Sequence, residues 1–215
     1  MPFTQLPLLA FPPLKIVTCS STDCANDLHC FKKSRKAAER HLGARCYECG
    51  VDLIDWPRLH LRDVSDAQFT IKSLRNELIR HYYWHVPISA RLVDNARRKG
   101  RVRMAIAIDK RIRSSVGDLP DNWDGRQTPL ENSKDANVMN FGQHAVAACC
   151  RKCIETWHGI PKDRALAEVE VRYLSELVFL YVVERLPFLT ERGERVPRNK
   201  VACHEPANSV ARRAG

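Results

Sequence analysis

Two pairs of cysteines are the feature that most constrains this chain, because each pair has the spacing of a metal-chelating hook. The first pair is Cys46 and Cys49, and the second is Cys150 and Cys153. A structural zinc ion takes four ligands in a tetrahedron, and two such pairs supply that set without help from other residues. The sequence therefore predicts one structural Zn²⁺ that is bound by four thiolates and joins the N-terminal part of the chain to the C-terminal part.

The sequence around each pair favours the same interpretation. Gly50 follows the first pair and permits the tight backbone turn of a zinc knuckle. The second pair directly precedes a segment that can form a helix, and this order is similar to the two halves of a treble-clef site. The predicted fold is therefore mainly α with a small β element. It would have a zinc-stapled, treble-clef-like core with a helical insertion between the two pairs.

Other candidate ligands lie close to the second pair, and a competing site built from them would not need the first pair. Its ligands would be His144, either Cys149 or Cys150, Cys153 and His158. A double substitution of the first pair separates the two hypotheses, because full retention of zinc would exclude the four-cysteine site. A looser group has a spacing that fits no zinc module, and we assign it no role: Cys19, Cys24, His29 and Cys30.

The chain has nine cysteines, an odd number that disfavours a framework of disulfides. The apolar stretch at residues 3–17 contains several prolines and lacks the basic start and the small-residue cleavage site of an export signal. Reduced thiols and a cytoplasmic location are therefore expected. A membrane-spanning helix needs about 18 consecutive apolar residues, and charged residues interrupt every apolar run before that length. No membrane association is therefore predicted.

Breakers and hydrophobic periodicity divide the chain into three parts. These are a lead that is expected to be disordered, a single zinc-stapled globular domain and a disordered basic tail, at residues 1–30, 31–190 and 191–215. Within the domain, Gly100 separates two predicted arginine-rich helices, and residues 165–186 carry the broad apolar stripe of the main core helix. A long ordered loop is predicted at residues 116–140, where Gly and Pro recur among Asp and Asn.

The chain is strongly basic, with a formal net charge of +10 and an isoelectric point near 9.3. Such a balance favours polyanionic partners, and we predict contact with DNA or RNA. Phosphate contact needs only clustered cations, and the predicted contact residues lie in the arginine-rich helices. They are Arg97, Arg98, Lys99, Arg101, Arg103, Lys110, Arg111 and Arg113. The sequence indicates no particular oligomeric state.

Two stretches of the chain carry a specific motif. The first reads DGRQTP, at residues 124–129, and the second reads FGQHAVAACCRKCIETWHGIP, at residues 141–161. Together they resemble the bacterial domain-of-unknown-function family 4186, whose pattern runs approximately DGKQTP, then AQHATATCCRGCLEKWHGI, then a long helix. The resemblance covers residues 88–187 and implies no mechanism, and the first cysteine pair lies outside it. The motif positions that it marks are His144, Cys149, Cys150, Cys153, Trp157 and His158.

A nuclease of the HNH kind is the alternative function. Zinc-stapled nucleases of this kind place a histidine after the first cysteine pair, and His60 lies in that region. In this hypothesis His60 would activate water, while His144 or His158 would help to hold Mg²⁺ or Mn²⁺ against the scissile phosphate. The sequence around His60 lacks the adjacent Asp-His or His-His pair that is typical of such enzymes.

Two further hypotheses remain open. Glu77, His81 and His85 are four residues apart, so they share one helix face that could bind a metal or pack on a partner. An adaptor whose basic face meets an acidic protein would have the same charge pattern as a nucleic-acid-binding protein. The main prediction is a zinc-binding, nucleic-acid-associated protein.

Overall fold

The computed structural model describes residues 17–32, 44–118 and 136–197, and this part of the chain is mainly helical. Its seven α-helices are α1 (Trp56–Leu59), α2 (Ala67–Leu74), α3 (Leu78–His85), α4 (Ala90–Ile112), α5 (Val138–Ala145), α6 (Arg151–His158) and α7 (Glu168–Arg185). The prediction of a mainly α fold is confirmed. Within the described ranges there is no strand, and the predicted β element is reduced to two isolated bridges, Asp23 with Leu28 and His29 with Glu77. The treble-clef arrangement is not confirmed.

The core lies between the longest helices. α4 packs on α7, and α5 packs on α3, α4 and α7. Every residue of α5 is buried, as expected for a short helix that other helices enclose. Because α5 leads directly into the second cysteine pair, this packing fixes the position of that pair. None of the helices in the described ranges is both long and apolar enough to cross a membrane.

The predicted break between the arginine-rich helices is present at Gly100, where α4 leaves helical geometry with φ 66° and ψ 178°. The chain that follows α7 crosses α4 at this point. Arg101 N–H donates to the Thr190 carbonyl at 2.9 Å, and a Cβ on Gly100 would overlap the backbone of Gly193. The backbone groups that the break releases from the helix are therefore hydrogen-bonded by the crossing segment.

Two predicted segments contain residues that the structure describes. The sequence places the start of the basic tail at residue 191, and residues 191–197 are hydrogen-bonded to α4, for example by Glu194 N–H to the Arg97 carbonyl at 2.9 Å. Of the predicted lead, residues 1–30, the structure describes the part from residue 17 onward, and the division of the chain into three parts stays a prediction. The main core helix predicted at residues 165–186 is α7. Most of the predicted loop, including the DGRQTP motif, lies outside the described residues.

Candidate metal centres

One cysteine and histidine group has the composition and size of a zinc site. Its members are Cys24, His29, Cys46 and Cys49, whose ligand atoms all lie within 4.8 Å of one another. Cys24 Sγ lies 3.9 Å from Cys46 Sγ, and Cys49 Sγ lies 3.4 Å from His29 Nδ1. In a zinc tetrahedron the corresponding edges are about 3.8 Å between two sulfurs and about 3.6 Å between sulfur and nitrogen. The four side chains, which we call the N-terminal group, therefore fit one zinc ion.

A tight turn brings the first two members of this group together. Cys24 begins a short 3₁₀ turn, and Asp27 follows in the left-handed conformation with φ 56°. The chain then reverses, and Asp23 and Leu28 exchange backbone hydrogen bonds of 2.7 and 3.0 Å. This reversal places His29 beside Cys24. Asp is one of the few residue types other than Gly that adopts this conformation at low cost.

The first cysteine pair supplies the other two members through the predicted knuckle. Gly50 N–H donates to the Cys46 carbonyl at 2.9 Å, and Cys46 N–H donates to the Val51 carbonyl at 3.0 Å. Gly50 has φ 76°, the left-handed conformation that its lack of a Cβ allows. The turn directs both thiols toward Cys24 and His29.

The thiols of the N-terminal group differ in acidity. Burial acts to raise the pKa of Cys46, but backbone N–H groups, led by that of Cys30, lower it to about 6. Burial raises the pKa of Cys24 to about 12, and the neighbouring thiols of Cys49 and Cys46 contribute in the same direction. Cys46 therefore favours the thiolate, whereas a bound dication would be required to keep Cys24 a thiolate at neutral pH.

The N-terminal group is fastened to the helical core at the start of α3. His29 N–H donates to the Asn76 carbonyl at 2.8 Å, and Leu78 N–H donates to the His29 carbonyl at 2.9 Å. Phe31, two residues further along the chain, is buried and packs edge-on against Trp157 at 5.7 Å between ring centroids. The residues that carry the ligands are therefore also the residues that dock this segment.

A second group contains the thiols of Cys149, Cys150 and Cys153, which also lie within 4.8 Å of one another. We call it the C-terminal group. Cys150 is the N-cap of α6, and its sulfur accepts a hydrogen bond from Cys153 N–H at 3.5 Å. Ala147, just before the group, has φ 56°, a conformation that is costly for a residue with a Cβ. The chain therefore turns sharply between α5 and α6 to bring the three thiols together.

A fourth thiol reaches the C-terminal group from the N-terminal segment. Cys19 and Cys153 line the same cavity of about 200 Å³, and the Cys19 thiol is among the groups that lower the pKa of Cys153. The Cys19 carbonyl accepts a hydrogen bond from the Cys30 thiol at 3.2 Å, which holds this part of the segment in place. The cavity is also lined by Lys32 and Lys162, and it opens a path from solvent to the sulfurs.

A buried ion pair borders the C-terminal group. Arg80 Nε donates to Glu77 Oε2 at 2.9 Å, and both side chains are 2% exposed. Nη2 donates to the Cys153 sulfur at 3.2 Å. Nη1 donates to the His144 carbonyl at 2.7 Å and also lies 3.7 Å from the Cys149 sulfur. Trp157 Nε1 donates to the same carboxylate at 2.8 Å. Arg80 thus joins the carboxylate to the thiols.

This environment favours a thiolate at Cys153. Hydrogen bonds from the thiols of Cys149 and Cys150, followed by that of Cys19, lower the pKa of Cys153 well below its usual range, against the effect of burial. Burial alone would lower the pKa of Arg80, but the charges of Cys153 and Glu77 raise it well above its usual range. The guanidinium therefore stays charged beside the sulfurs.

The four ligands predicted from the sequence are divided between the two groups. Cys46 and Cys49 lie with Cys24 and His29, whereas Cys150 and Cys153 lie with Cys149. The two pairs do not share an ion-sized site because tight turns place other ligand candidates beside each of them. These are Cys24 and His29 at the first pair and Cys149 at the second. The looser group at residues 19–30, which received no role from its spacing, contributes ligand candidates to both sites.

The competing set of ligands is also not assembled. The ring of His144 stacks on Tyr83 at 4.4 Å, and neither His144 nor His158 belongs to a metal-sized group in the described ranges. His158 is fully buried, with Nε2 2.9 Å from the Val146 carbonyl and Nδ1 3.2 Å from the hydroxyl of Tyr173. Burial lowers the pKa of His158 to about 4, so the ring is neutral at physiological pH.

The three catalytic candidates of the nuclease hypothesis have packed surroundings. His60 lies 5.7 Å from Trp56 between ring centroids, and a Cβ on Gly159 would lie 3.0 Å from its ring. His144 and His158 are both buried. None of these contacts favours a histidine that activates water, and the nuclease activity stays a prediction.

The three residues of the hypothetical metal-binding helix face, Glu77, His81 and His85, do not point to one place. Glu77 is directed into the interior toward Arg80. The rings of His81 and His85 stack on each other at 4.1 Å between centroids, and His85 Nδ1 lies 2.7 Å from the His81 carbonyl. Within the described ranges these three residues do not form a metal-sized group.

Most of the predicted phosphate-contacting cations have intramolecular partners. Arg97 pairs with Glu194, Arg98 with the Val196 carbonyl, Arg101 with Glu191, Arg111 with Gln143, and Arg113 with Asp109 and Glu168. The arginines of α4 therefore serve in part to hold the crossing segment and the ends of neighbouring helices. Of the remaining cations, Arg103 and Lys110 are exposed and Lys99 is half-buried.

Comparison with known proteins identifies a family but no related fold. No solved structure matches the chain. A family model described as Domain of unknown function (DUF4186) matches residues 68–183, a range that begins earlier than the 88–187 inferred from the motif. The matched range contains the C-terminal group and its ion pair, whereas the N-terminal group and Cys19 lie before it. Because the match spans more than half of the chain, the protein belongs to the DUF4186 family.

Proposed function

We propose that this is a zinc-binding protein in which one structural Zn²⁺, held by the N-terminal group, fastens the first ordered segment onto the helical core. The observation that carries the proposal is the geometry of the group, three sulfurs and one imidazole nitrogen within 4.8 Å of one another. Three thiolates and one imidazole form a closed, four-coordinate set, which is the arrangement of structural zinc sites.

The segment needs such a fastening because it has little regular structure. Residues 17–32 contain only a single 3₁₀ turn, and residues 44–54 contain no helix. Their buried apolar side chains are few, chiefly Phe31 and Ile54. Small units with so little core commonly obtain their folding free energy from a bound metal.

Zinc content of the full-length chain tests the proposal. Replacement of Cys49 by Ser should reduce bound zinc, measured by elemental analysis, by about one ion per chain. Hydrogen exchange should show a loss of protection at the His29 amide, which bonds to Asn76. The matched control is Cys30→Ser, because Cys30 is a buried thiol of the same segment that belongs to neither group. Unchanged zinc in Cys49→Ser, or equal loss in the control, would contradict the proposal.

Contact with nucleic acid is a second proposal, supported by the net charge of +10. Of the predicted contact residues, Arg103 and Lys110 are exposed and lie seven residues apart on one face of α4. A charge-reversing double substitution of these two should weaken binding to DNA or RNA and reduce its salt dependence. The same assay with Mg²⁺ or Mn²⁺ would reveal nuclease activity. Absent or salt-insensitive binding would reject the proposal.

A further inference from the structure

The thiols of the C-terminal group lie apart from the proposed structural zinc and share no ligand with it. We infer that Cys149, Cys150 and Cys153 form a second metal site, and that Cys19 from the N-terminal segment is its fourth ligand. Soft thiolate donors select soft or borderline ions, and a four-thiolate set of this size suits a single Zn²⁺.

The local backbone is the first support for this inference. The left-handed Ala147 and the N-cap position of Cys150 hold three thiols together at the end of a fully buried helix. A non-glycine residue with positive φ persists only where its surroundings over-determine it, and such residues concentrate at functional sites. Adjacent buried thiols alone would not require this turn.

The buried guanidinium is the second support. Of the three guanidinium nitrogens of Arg80, only Nε donates to Glu77. Nη2 lies 3.2 Å from the Cys153 sulfur, and Nη1, which donates to the His144 carbonyl at 2.7 Å, lies 3.7 Å from the Cys149 sulfur. Burying a cation is costly unless anionic acceptors surround it. A bound dication would keep all of these sulfurs as thiolates, and the guanidinium would then offset the negative charge of the complex, as outer hydrogen bonds to metal ligands commonly do.

The position of Cys19 is the third support. Cys19 lines the same cavity as Cys153, although its thiol is not within 4.8 Å of all three sulfurs, so a bound ion would draw it closer. The cavity beside Cys19 and Cys153 gives an ion a route from solvent. No histidine or carboxylate in the described ranges completes the group in its place.

Metal stoichiometry and spectroscopy of the full-length protein test the inference. Wild type should bind about two zinc ions per chain, and Cys150→Ser should lose the second ion while it keeps the ion that Cys49→Ser loses. Cys30→Ser should keep both. In cobalt-substituted protein, the sulfur-to-metal charge-transfer absorption should fall in both single variants and be absent from a Cys49→Ser, Cys150→Ser double variant.

Cys19 has its own readout, which does not depend on whether Cys150→Ser folds. Cys19→Ser should still bind the second ion, but its affinity for that ion, measured in competition with a chelator, should fall by about tenfold or more. One zinc per wild-type chain, lost in Cys49→Ser, would overturn the second site and leave the proposed function intact. A Cys150 to Cys153 disulfide in the metal-replete protein, detected by thiol counting after denaturation, would also overturn it in favour of a redox dithiol.

Discussion

At the scale of single residues, the N-terminal group combines two cysteines of regular spacing, Cys46 and Cys49, with two ligand candidates that a turn brings to them, Cys24 and His29. The spacing of Cys46 and Cys49 identified a metal hook, and the structure keeps both in one metal-sized group. It could not identify Cys24 and His29, because the turn that joins them depends on a left-handed Asp27 and on backbone bonds to Asn76, which is distant in the chain. The spacing of two ligands can be read from the local sequence, whereas the tertiary structure determines which ligands come together at one site.

Arg80 gives a prediction at this scale. Replacement of Arg80 by Met should destabilise the protein by about 3–5 kcal/mol, because it leaves the buried carboxylate of Glu77 without its cation. Adding Glu77→Gln to the same protein should recover part of the loss. The matched control is Arg45→Met at the exposed pair with Asp52, which should cost at most about 1 kcal/mol. Equal losses in urea unfolding of the two single variants would show that the buried pair has no special role.

His158 gives a second prediction, on the pH dependence of stability. Its folded pKa of about 4 lies below the ordinary value of 6.5, so between these values the unfolded chain binds a proton that the folded chain does not. The contribution of His158 is therefore fully present above pH 6.5 and is lost as the pH falls toward 4, by at most on the order of 3 kcal/mol. His158→Gln should flatten the stability curve in this window. Parallel wild-type and variant curves of unfolding free energy would refute this.

At the scale of elements, periodicity and breakers predicted what is local. The apolar stripe identified α7, and the position of Gly100 identified the break in α4. The ordered segment at residues 191–197 has no such signal, because it has no periodic apolar face. Its partners are backbone groups of α4, almost a hundred positions away, such as the Arg97 carbonyl that accepts from Glu194 N–H.

The crossing at Gly100 is testable. Gly100→Ala should destabilise the protein by more than about 2 kcal/mol, because the new Cβ would meet the backbone of Gly193 at a residue with positive φ. Gly117→Ala is the matched control, since its Cβ would meet its nearest neighbours at 3.7 Å and its φ is not positive. Thermal unfolding that lowers the Tm of both variants equally would contradict the importance of the crossing.

At the scale of the whole molecule, one short segment reaches both cysteine groups. Cys19 and Cys24 are five residues apart, and the first shares a cavity with Cys153 of the C-terminal group while the second belongs to the N-terminal group. The net charge, by contrast, predicted a phosphate-binding surface that internal ion pairs partly occupy. Charge can be counted from a sequence, but the partner of each charge is set by the packed structure.

The shared segment predicts coupling between the two ions. Loss of the ion at the N-terminal group in Cys49→Ser should free Cys19 and accelerate the release of the second ion to a chelator. In a Cys19→Ser background, the Cys49→Ser substitution should cause no further acceleration. Stopped-flow chelation of wild type, the two single variants and the double variant measures this. Identical release of the second ion in wild type and Cys49→Ser would show that the sites are independent.

The range of the family match has a further consequence. A chain reduced to residues 68–183 would keep Arg80 and the three sulfurs of the C-terminal group but would lack Cys19. An ion held there by three protein ligands would have one corner of its tetrahedron open to water or to a small thiol, which is the arrangement of catalytic rather than structural zinc. The segment that carries Cys19 would then determine whether the bound ion has an open position and acts as a Lewis acid, or is closed by a fourth thiolate.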